Sequence, residues 1–300
     1  MAGTPGPTEP LAQLLTERWG FRQPRVEPLG GGMNSETFLV QHEGSTYVAK
    51  RVAPEALDEL VRGCEAALLL AERGFVTGRP SPTVEGELVV ITATGPVALL
   101  EHVPGRELEG GTAEEQDRIA RTLAGVHVAG GPARSRATAS FFAWLSPDIP
   151  GVAATPWLRQ AVHVVREETD ELDVTWSLLH TDPAPEAFRH EESSGVTGLV
   201  DWTGATRGPV LYDVASAVMY LGGTACARVF LETYRRHGPL ADEELQHLDA
   251  FCRFRWAVQG AYFAGRLAAR DLTGITAQHD NEKGLADAER GLAELGAGGA

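Results

Sequence analysis

The sequence predicts an α+β fold, with strands in its first third and mainly helices beyond, on three observations. Residues 34–40 and 45–52 are apolar, β-prone runs that follow a glycine cluster, and 97–103 is a third such run. Between them, Leu57, Leu60, Val61, Cys64, Leu68 and Leu69 recur at helical spacing within 54–74. Beyond 104 the apolar residues recur mainly at helical spacing. A chain of 300 residues can bury a full core and form more than one lobe. Its 43% hydrophobic and 22% charged fractions are those of an ordinary globular protein.

Each element follows in order. Gly30, Gly31 and Gly32, with Met33, Asn34 and Ser35 after them, open the first strand. Glycines permit positive φ and a close backbone approach to phosphate oxygens, whose charge exposed N–H groups stabilise. The cluster matches neither the dinucleotide fingerprint nor a Walker loop, and an ordinary turn is the alternative. Lys50 lies in the second strand, where its ammonium either meets phosphate or reaches water. The helix 54–74 carries Glu59, Glu65 and Glu72. The strand 97–103 stops at Pro104-Gly105. Thr112-Ala113-Glu114-Glu115 has a capping-box pattern and starts a helix to 129 that contains His127. Residues 130–150 are a connection rich in Gly, Pro, Ser and Ala. A helix over 157–169 then leads into a strand before His180, and 198–200 forms another apolar strand. Helices are predicted over 211–221, 226–237, 242–270 and 281–295, followed by a frayed tail from 296 to 300.

Two carboxylates end neighbouring apolar segments: Asp182 in Leu179-His180-Thr181-Asp182-Pro183, and Asp201 after Leu199-Val200. Phosphoryl transfer needs one carboxylate to orient an attacking hydroxyl and accept its proton, and a second to hold magnesium on the phosphates. For either Asp alone, a helix cap or turn is the competing role.

His180-Thr181-Asp182 with Pro185 three on, Val200-Asp201-Trp202, and Gly208-Pro209-Val210-Leu211-Tyr212-Asp213-Val214-Ala215 together resemble the aminoglycoside phosphotransferase and choline kinase-like family. The resemblance implies a two-lobed protein kinase-like fold. Residues 1–103 would form a small nucleotide-binding lobe, an antiparallel sheet with one long helix. Residues 104–300 would form a larger, mainly helical lobe for catalysis and acceptor binding. By the same resemblance Asp182 is the catalytic base and Asp201 the magnesium ligand, while His180 and Asp213 brace the catalytic loop by hydrogen bonds. Gly30, Gly31, Gly32, Asn34 and Ser35 would line the nucleotide. Lys50, paired with Glu65, would hold the α- and β-phosphates, and main-chain groups near Glu101 and Val103 would meet the adenine edge. His127 is expected to be structural. The implied cofactors are ATP and magnesium.

One position departs from the pattern. The family has Asn five residues after the catalytic Asp, and this chain has Ala187, whose methyl cannot ligate magnesium. Either Glu186 or another carboxylate takes over, or one protein-bound metal at Asp201 suffices, or the chain is catalytically silent.

Three functions follow: a kinase for a hydroxyl of a small molecule such as an antibiotic or metabolite, a Ser/Thr kinase of a precursor peptide working with a partner lyase, or a pseudokinase scaffold. Asp249, Trp256, Tyr262 and Phe263 are candidates for the acceptor pocket, which Met219-Tyr220 and the run 254–263, with Arg255 in it, could line; by default these are core stripes at helical spacing. A formal charge of −15 argues against a nucleic-acid partner and is compatible with cationic acceptors. No apolar run is long enough to span a bilayer, and residues 1–7 lack the features of a signal peptide, so a cytoplasmic protein is expected. Cys64, Cys226 and Cys252 lack metal-site spacing and are expected as reduced core residues.

Overall fold

The β-prone runs of the first third assemble into one antiparallel sheet. In the computed structural model, which describes residues 9–30, 32–136, 138–275 and 277–296, the elements in chain order are α1 (Glu9–Trp19), β1 (Arg25–Leu29), β2 (Ser35–His42), β3 (Ser45–Val52), α2 (Leu57–Glu72), β4 (Val89–Thr92), β5 (Gly95–Glu101), β6 (Arg106–Glu107), α3 (Ala113–Ala129), β7 (Ala133–Ser135), α4 (Thr138–Phe141), α5 (Pro150–Ala153), α6 (Pro156–Thr169), β8 (Val174–Leu179), β9 (Phe188–Glu191), β10 (Val196–Leu199), β11 (Thr206–Pro209), α7 (Val210–Tyr220), α8 (Arg228–His237), α9 (Leu248–Ala269) and α10 (Gln278–Glu294). Gly31, residues 1–7 and residues 297–300 of the tail lie outside the described residues.

The chain divides into two compact units. One takes the chain through Arg106 together with Arg189–Ala205, and the other takes Glu107–Phe188 and the chain from Thr206 onward. Asp201 therefore belongs to the same unit as Lys50, and Asp182 to the other.

In the first unit the sheet order is β1-β2-β3-β5-β4. β2 and β3 are joined by Glu43-Gly44, both at positive φ, as a tight hairpin requires. Lys50 stands opposite Ala98 of β5, so the two share a face of the sheet. Ala98 and Val52 pack there with Leu60 and Cys64 of α2, which places Lys50 on the α2 side. The opposite face buries Phe38, Val40, Val97 and Leu99 against Leu11, Leu15 and Trp19 of α1. α1, β1 and β4 are additions to the predicted elements. β1 is an edge strand, the position in which a sheet tolerates a proline such as Pro28.

The second unit is mainly helical, around a small sheet in the order β11-β8-β7. α7 is buried from Val210 to Val218, as expected of a helix apolar on every side. The predicted connection 130–150 contains β7 and α4 and ends where α5 begins. The predicted helix 242–270 is a 3-10 turn over Asp242–His247 followed by α9. Among the described residues no helix is long and apolar enough to cross a membrane. All three cysteines are free, but only Cys64 and Cys252 are buried; Cys226 is exposed. It precedes α8 instead of sitting on its apolar face.

Candidate active site

Lys50 and Asp201 meet within the first unit. β10 ends at Leu199, whose N–H donates to Val76 O at 2.9 Å. Two residues on, Asp201 adopts a left-handed backbone (φ 69°, ψ 59°) and leads into a 3-10 turn over Trp202–Gly204. The Trp202 indole N–H donates to Leu199 O at 2.8 Å and fastens the turn. α2 seats it closely: a Cβ at Gly63 would lie 2.6 Å from Trp202 O. The Lys50 ammonium forms an ion pair with Asp201 Oδ1. The lysine is buried, whereas the Asp201 side chain is 62% exposed. The lysine's ion pair is thus with Asp201 and not with Glu65, which is exposed on α2. Burial pushes the neighbouring Cys64 thiol up to about 12, against a lowering by Lys50 and with a small rise from Glu65.

The glycine turn joins β1 to β2, with Leu29 opposite Thr37 in register. Gly32 takes φ 96°, where a side chain would be strained, and a Cβ there would approach Ser35 Oγ to 3.2 Å. A Cβ at Gly30 would meet open space. At the end of β5 the Glu101 N–H donates to Arg79 O at 2.8 Å and the His102 N–H to Thr46 O at 3.2 Å.

The second unit carries the loop after β8. His180 is buried, and Thr181 has φ 75°, a conformation that a β-branched residue keeps only when its surroundings impose it. Asp213, in the first turn of α7 and fully buried, imposes it. One carboxylate oxygen accepts the His180 N–H at 2.7 Å and the other the Thr181 N–H at 2.8 Å. His127 Nε2 lies 3.0 Å from Asp213, and its Nδ1 lies 2.6 Å from the Tyr234 hydroxyl. An ionised carboxylate only accepts, so Nε2 carries the proton and Nδ1 accepts from Tyr234. Burial holds Tyr234 well above the ordinary phenol range, and it remains a donor.

Asp182 follows with its side chain 62% exposed. Its Oδ1 accepts from the Tyr220 hydroxyl at 2.5 Å and from Arg255 Nη2 at 2.9 Å. Burial, with the Asp182 charge adding to it, keeps Tyr220 well above its ordinary value and hence neutral. The Ala184 N–H donates to Asp182 O at 2.8 Å and the Ala187 N–H to Ala184 O at 2.9 Å, which shapes the rest of the loop. Ala187 is buried and Glu186 exposed.

Sequence reasoning named Tyr220 and Arg255 only as residues that could line a pocket and foresaw neither bond to Asp182. Arg255 and Asp182 are separated by 73 positions, and no local spacing signals the bond. Trp256 and Phe263, both half-buried, pack against α10: cradles at Gly291 and Gly284 receive them, and a Cβ at either glycine would lie 2.3 Å from the ring. Asp249 is exposed at the start of α9, and the Tyr262 hydroxyl lies 3.3 Å from Arg266 Nη1.

Residues 25–251 match the phosphotransferase enzyme family known as APH. The chain belongs to this family and is a phosphotransferase. It is 24% identical over 251 residues to a homoserine kinase of Caulobacter vibrioides, covering 74% of this chain and 75% of the relative. Among solved structures it is similar to the amicoumacin kinase hAmiN in complex with AMP-PNP, Ca2+ and Ami (TM-score 0.74, 16% identity, 97% of this chain and 93% of that one). It is also similar to the choline kinase LicA from Streptococcus pneumoniae (TM-score 0.67, 18% identity, 95% and 98%). These likenesses establish the two-lobed protein kinase-like fold.

Proposed function

We propose that the protein is an ATP- and magnesium-dependent kinase that transfers the γ-phosphoryl group to a hydroxyl of a small, amine-bearing molecule, an antibiotic or a metabolite. The observation that carries this is the anchored Asp182: a carboxylate set on a braced loop, with an exposed face toward an incoming hydroxyl. In this role Asp182 orients the hydroxyl and accepts its proton as the oxygen attacks phosphorus and the bond to the β-phosphate oxygen breaks.

Lys50 binds phosphate oxygens, and Asp201 binds the magnesium that arrives with ATP as part of the substrate. Asp201 suits that ion: it is an exposed, hard oxygen donor, and magnesium needs one or two carboxylates besides phosphates and water. No group of three or more His, Cys, Asp or Glu among the described residues forms a cage for a resident metal. Gly30, Gly31, Gly32, Asn34 and Ser35 cover the phosphates in this proposal, and the backbone near Glu101 and Val103 meets the adenine edge. Such an enzyme works in the cytoplasm, where its ATP is.

The acceptor class rests on the relatives. Choline and homoserine each carry a hydroxyl and a cationic nitrogen, and a chain of charge −15 suits such acceptors. The relatives' names favour this class over a precursor peptide working with a lyase.

The test is ADP release with magnesium and a panel of choline, homoserine, aminopropanol and aminoglycosides, beside a thermal melt with ATP and magnesium. We expect acceptor-dependent ADP release, and a melting temperature raised by ATP only when magnesium is present. A melt unchanged by saturating ATP and magnesium, with no release above the acceptor-free rate, would identify a silent scaffold instead.

A further inference from the structure

We propose that Arg255, together with Tyr220, is the positioning device for Asp182, fixing which carboxylate oxygen faces the acceptor hydroxyl. The proposal rests on the assignment of Asp182 as the base. A buried guanidinium is costly unless its donors are used, and two of the three hydrogen-bond partners that Arg255 has among the described residues are this carboxylate and the tyrosine bonded to it. Arg255 is 7% exposed within α9. Its Nε–H donates to Ser216 Oγ at 3.1 Å, and Ser216 Oγ–H in turn donates to Tyr212 O at 2.9 Å. That chain fixes the guanidinium plane to α7.

From that plane Nη2 donates to Asp182 Oδ1 at 2.9 Å and to the Tyr220 hydroxyl at 3.0 Å. The Tyr220 hydroxyl donates its own hydrogen bond to the same Oδ1. The three groups form a closed triangle on one oxygen, with the guanidinium also 5.6 Å from the centre of the Tyr220 ring. Two donors on Oδ1 select one rotamer of Asp182 and leave Oδ2, on a side chain 62% exposed, as the oxygen presented to the acceptor. Ala187 offers only a methyl, so the positioning comes from α7 and α9 and not from the loop itself.

Lysine cannot replace this arginine, because a single ammonium cannot reach Ser216 while sharing Oδ1 with Tyr220 in the same fixed plane. Tyr220→Phe keeps the ring and removes one of the two donors. Neither change touches the residues assigned to ATP.

Steady-state kinetics with the acceptor that gives the largest ADP release tests the proposal on the full chain. The variants are Arg255→Met, Arg255→Lys and Tyr220→Phe, each also combined with Asp182→Asn. Arg255→Met and Arg255→Lys should lower kcat about 100-fold, the scale of a misplaced catalytic group. Tyr220→Phe should lower it about 10-fold, since one of two hydrogen bonds remains. The KM for ATP should change by less than about threefold, because uniform binding is untouched.

In the Asp182→Asn background the three substitutions should cause no further loss, the non-additivity of a residue that acts through another. Arg255→Lys and Tyr220→Phe carry the test if Arg255→Met fails to fold. Retention of kcat by both Arg255→Lys and Tyr220→Phe in an active wild-type background overturns the proposal alone. So does a loss that adds to that of Asp182→Asn, or one confined to the KM for ATP. A wild-type protein without acceptor-dependent turnover overturns the functional assignment, and the proposal with it.

Discussion

Asp213 accepts the backbone N–H of Thr181 at 2.8 Å, a bond that braces a β-branched residue at φ 75° immediately before Asp182. The other Asp213 oxygen takes the His180 N–H and faces His127. Asp213→Ala would take this acceptor from two backbone donors and an imidazole N–H, in a site where His180, His127 and Asp213 are buried. We expect a loss of about 3–5 kcal/mol, since each donor left unsatisfied costs about 1–3 kcal/mol. Urea unfolding followed by circular dichroism measures it; a stability within about 0.5 kcal/mol of wild type would show that the loop is held by other means.

The Lys50–Asp201 pair is asymmetric, and its two removals should differ. Lys50→Met leaves a carboxylate already 62% exposed to water, whereas Asp201→Ala leaves a buried ammonium without its ion partner. Asp201→Ala should therefore destabilise the protein by about 1–3 kcal/mol, and Lys50→Met by less. Both should abolish the stabilisation by ATP with magnesium. Melting curves of the two variants with and without ATP decide it, and equal melting temperatures without ligand would contradict the asymmetry.

Much of this was written locally in the chain. α2 is legible because its apolar residues repeat at helical spacing over four turns, and β2 and β3 because apolar side chains alternate toward a glycine-containing turn. α1 is hard to see, since only Leu11, Leu15 and Trp19 are buried along a mostly polar segment. β1 is hidden by Pro28, whose place on a sheet edge no local pattern announces. The two aspartates stand out because each ends an apolar run. Their partners do not: Lys50 reaches Asp201 across 151 positions, and Arg255 reaches Asp182 across 73. Such pairs are set by tertiary packing. Periodicity reports which side of an element is buried, not which polar group it meets there.

Gly63 links stability to the turn that follows Asp201. A Cβ at this position would lie 2.6 Å from Trp202 O and 2.9 Å from Thr203 Cα, both backbone atoms of the turn after Asp201. Gly63→Ala must push α2 and that turn apart, at about 1–3 kcal/mol, and should weaken ATP binding in the presence of magnesium. Gly265→Ala is the control: its Cβ meets open space within α9, and helix propensity should make the variant more stable by about 0.5–1 kcal/mol. Thermal melts of both variants check the signs, and a neutral Gly63→Ala would mean that the turn yields freely.

Ala187 and Glu186 decide whether the departure from the family pattern matters. Ala187 is buried and its N–H is bonded within the loop, while Glu186 is exposed and its charge is felt at Tyr220. Restoring the family residue by Ala187→Asn inserts an amide where a methyl is packed, so the variant should lose about 1–3 kcal/mol of stability. Its turnover should shift only modestly if one carboxylate, Asp201, suffices for magnesium carried by the phosphates. Glu186→Gln removes a charge and keeps the shape; stability should stay within about 0.5 kcal/mol, as for other exposed positions. The magnesium concentration for half-maximal ADP release should be unchanged in Glu186→Gln. A large loss of turnover that excess magnesium restores would show that the Glu186 carboxylate holds a second ion in place of the missing Asn.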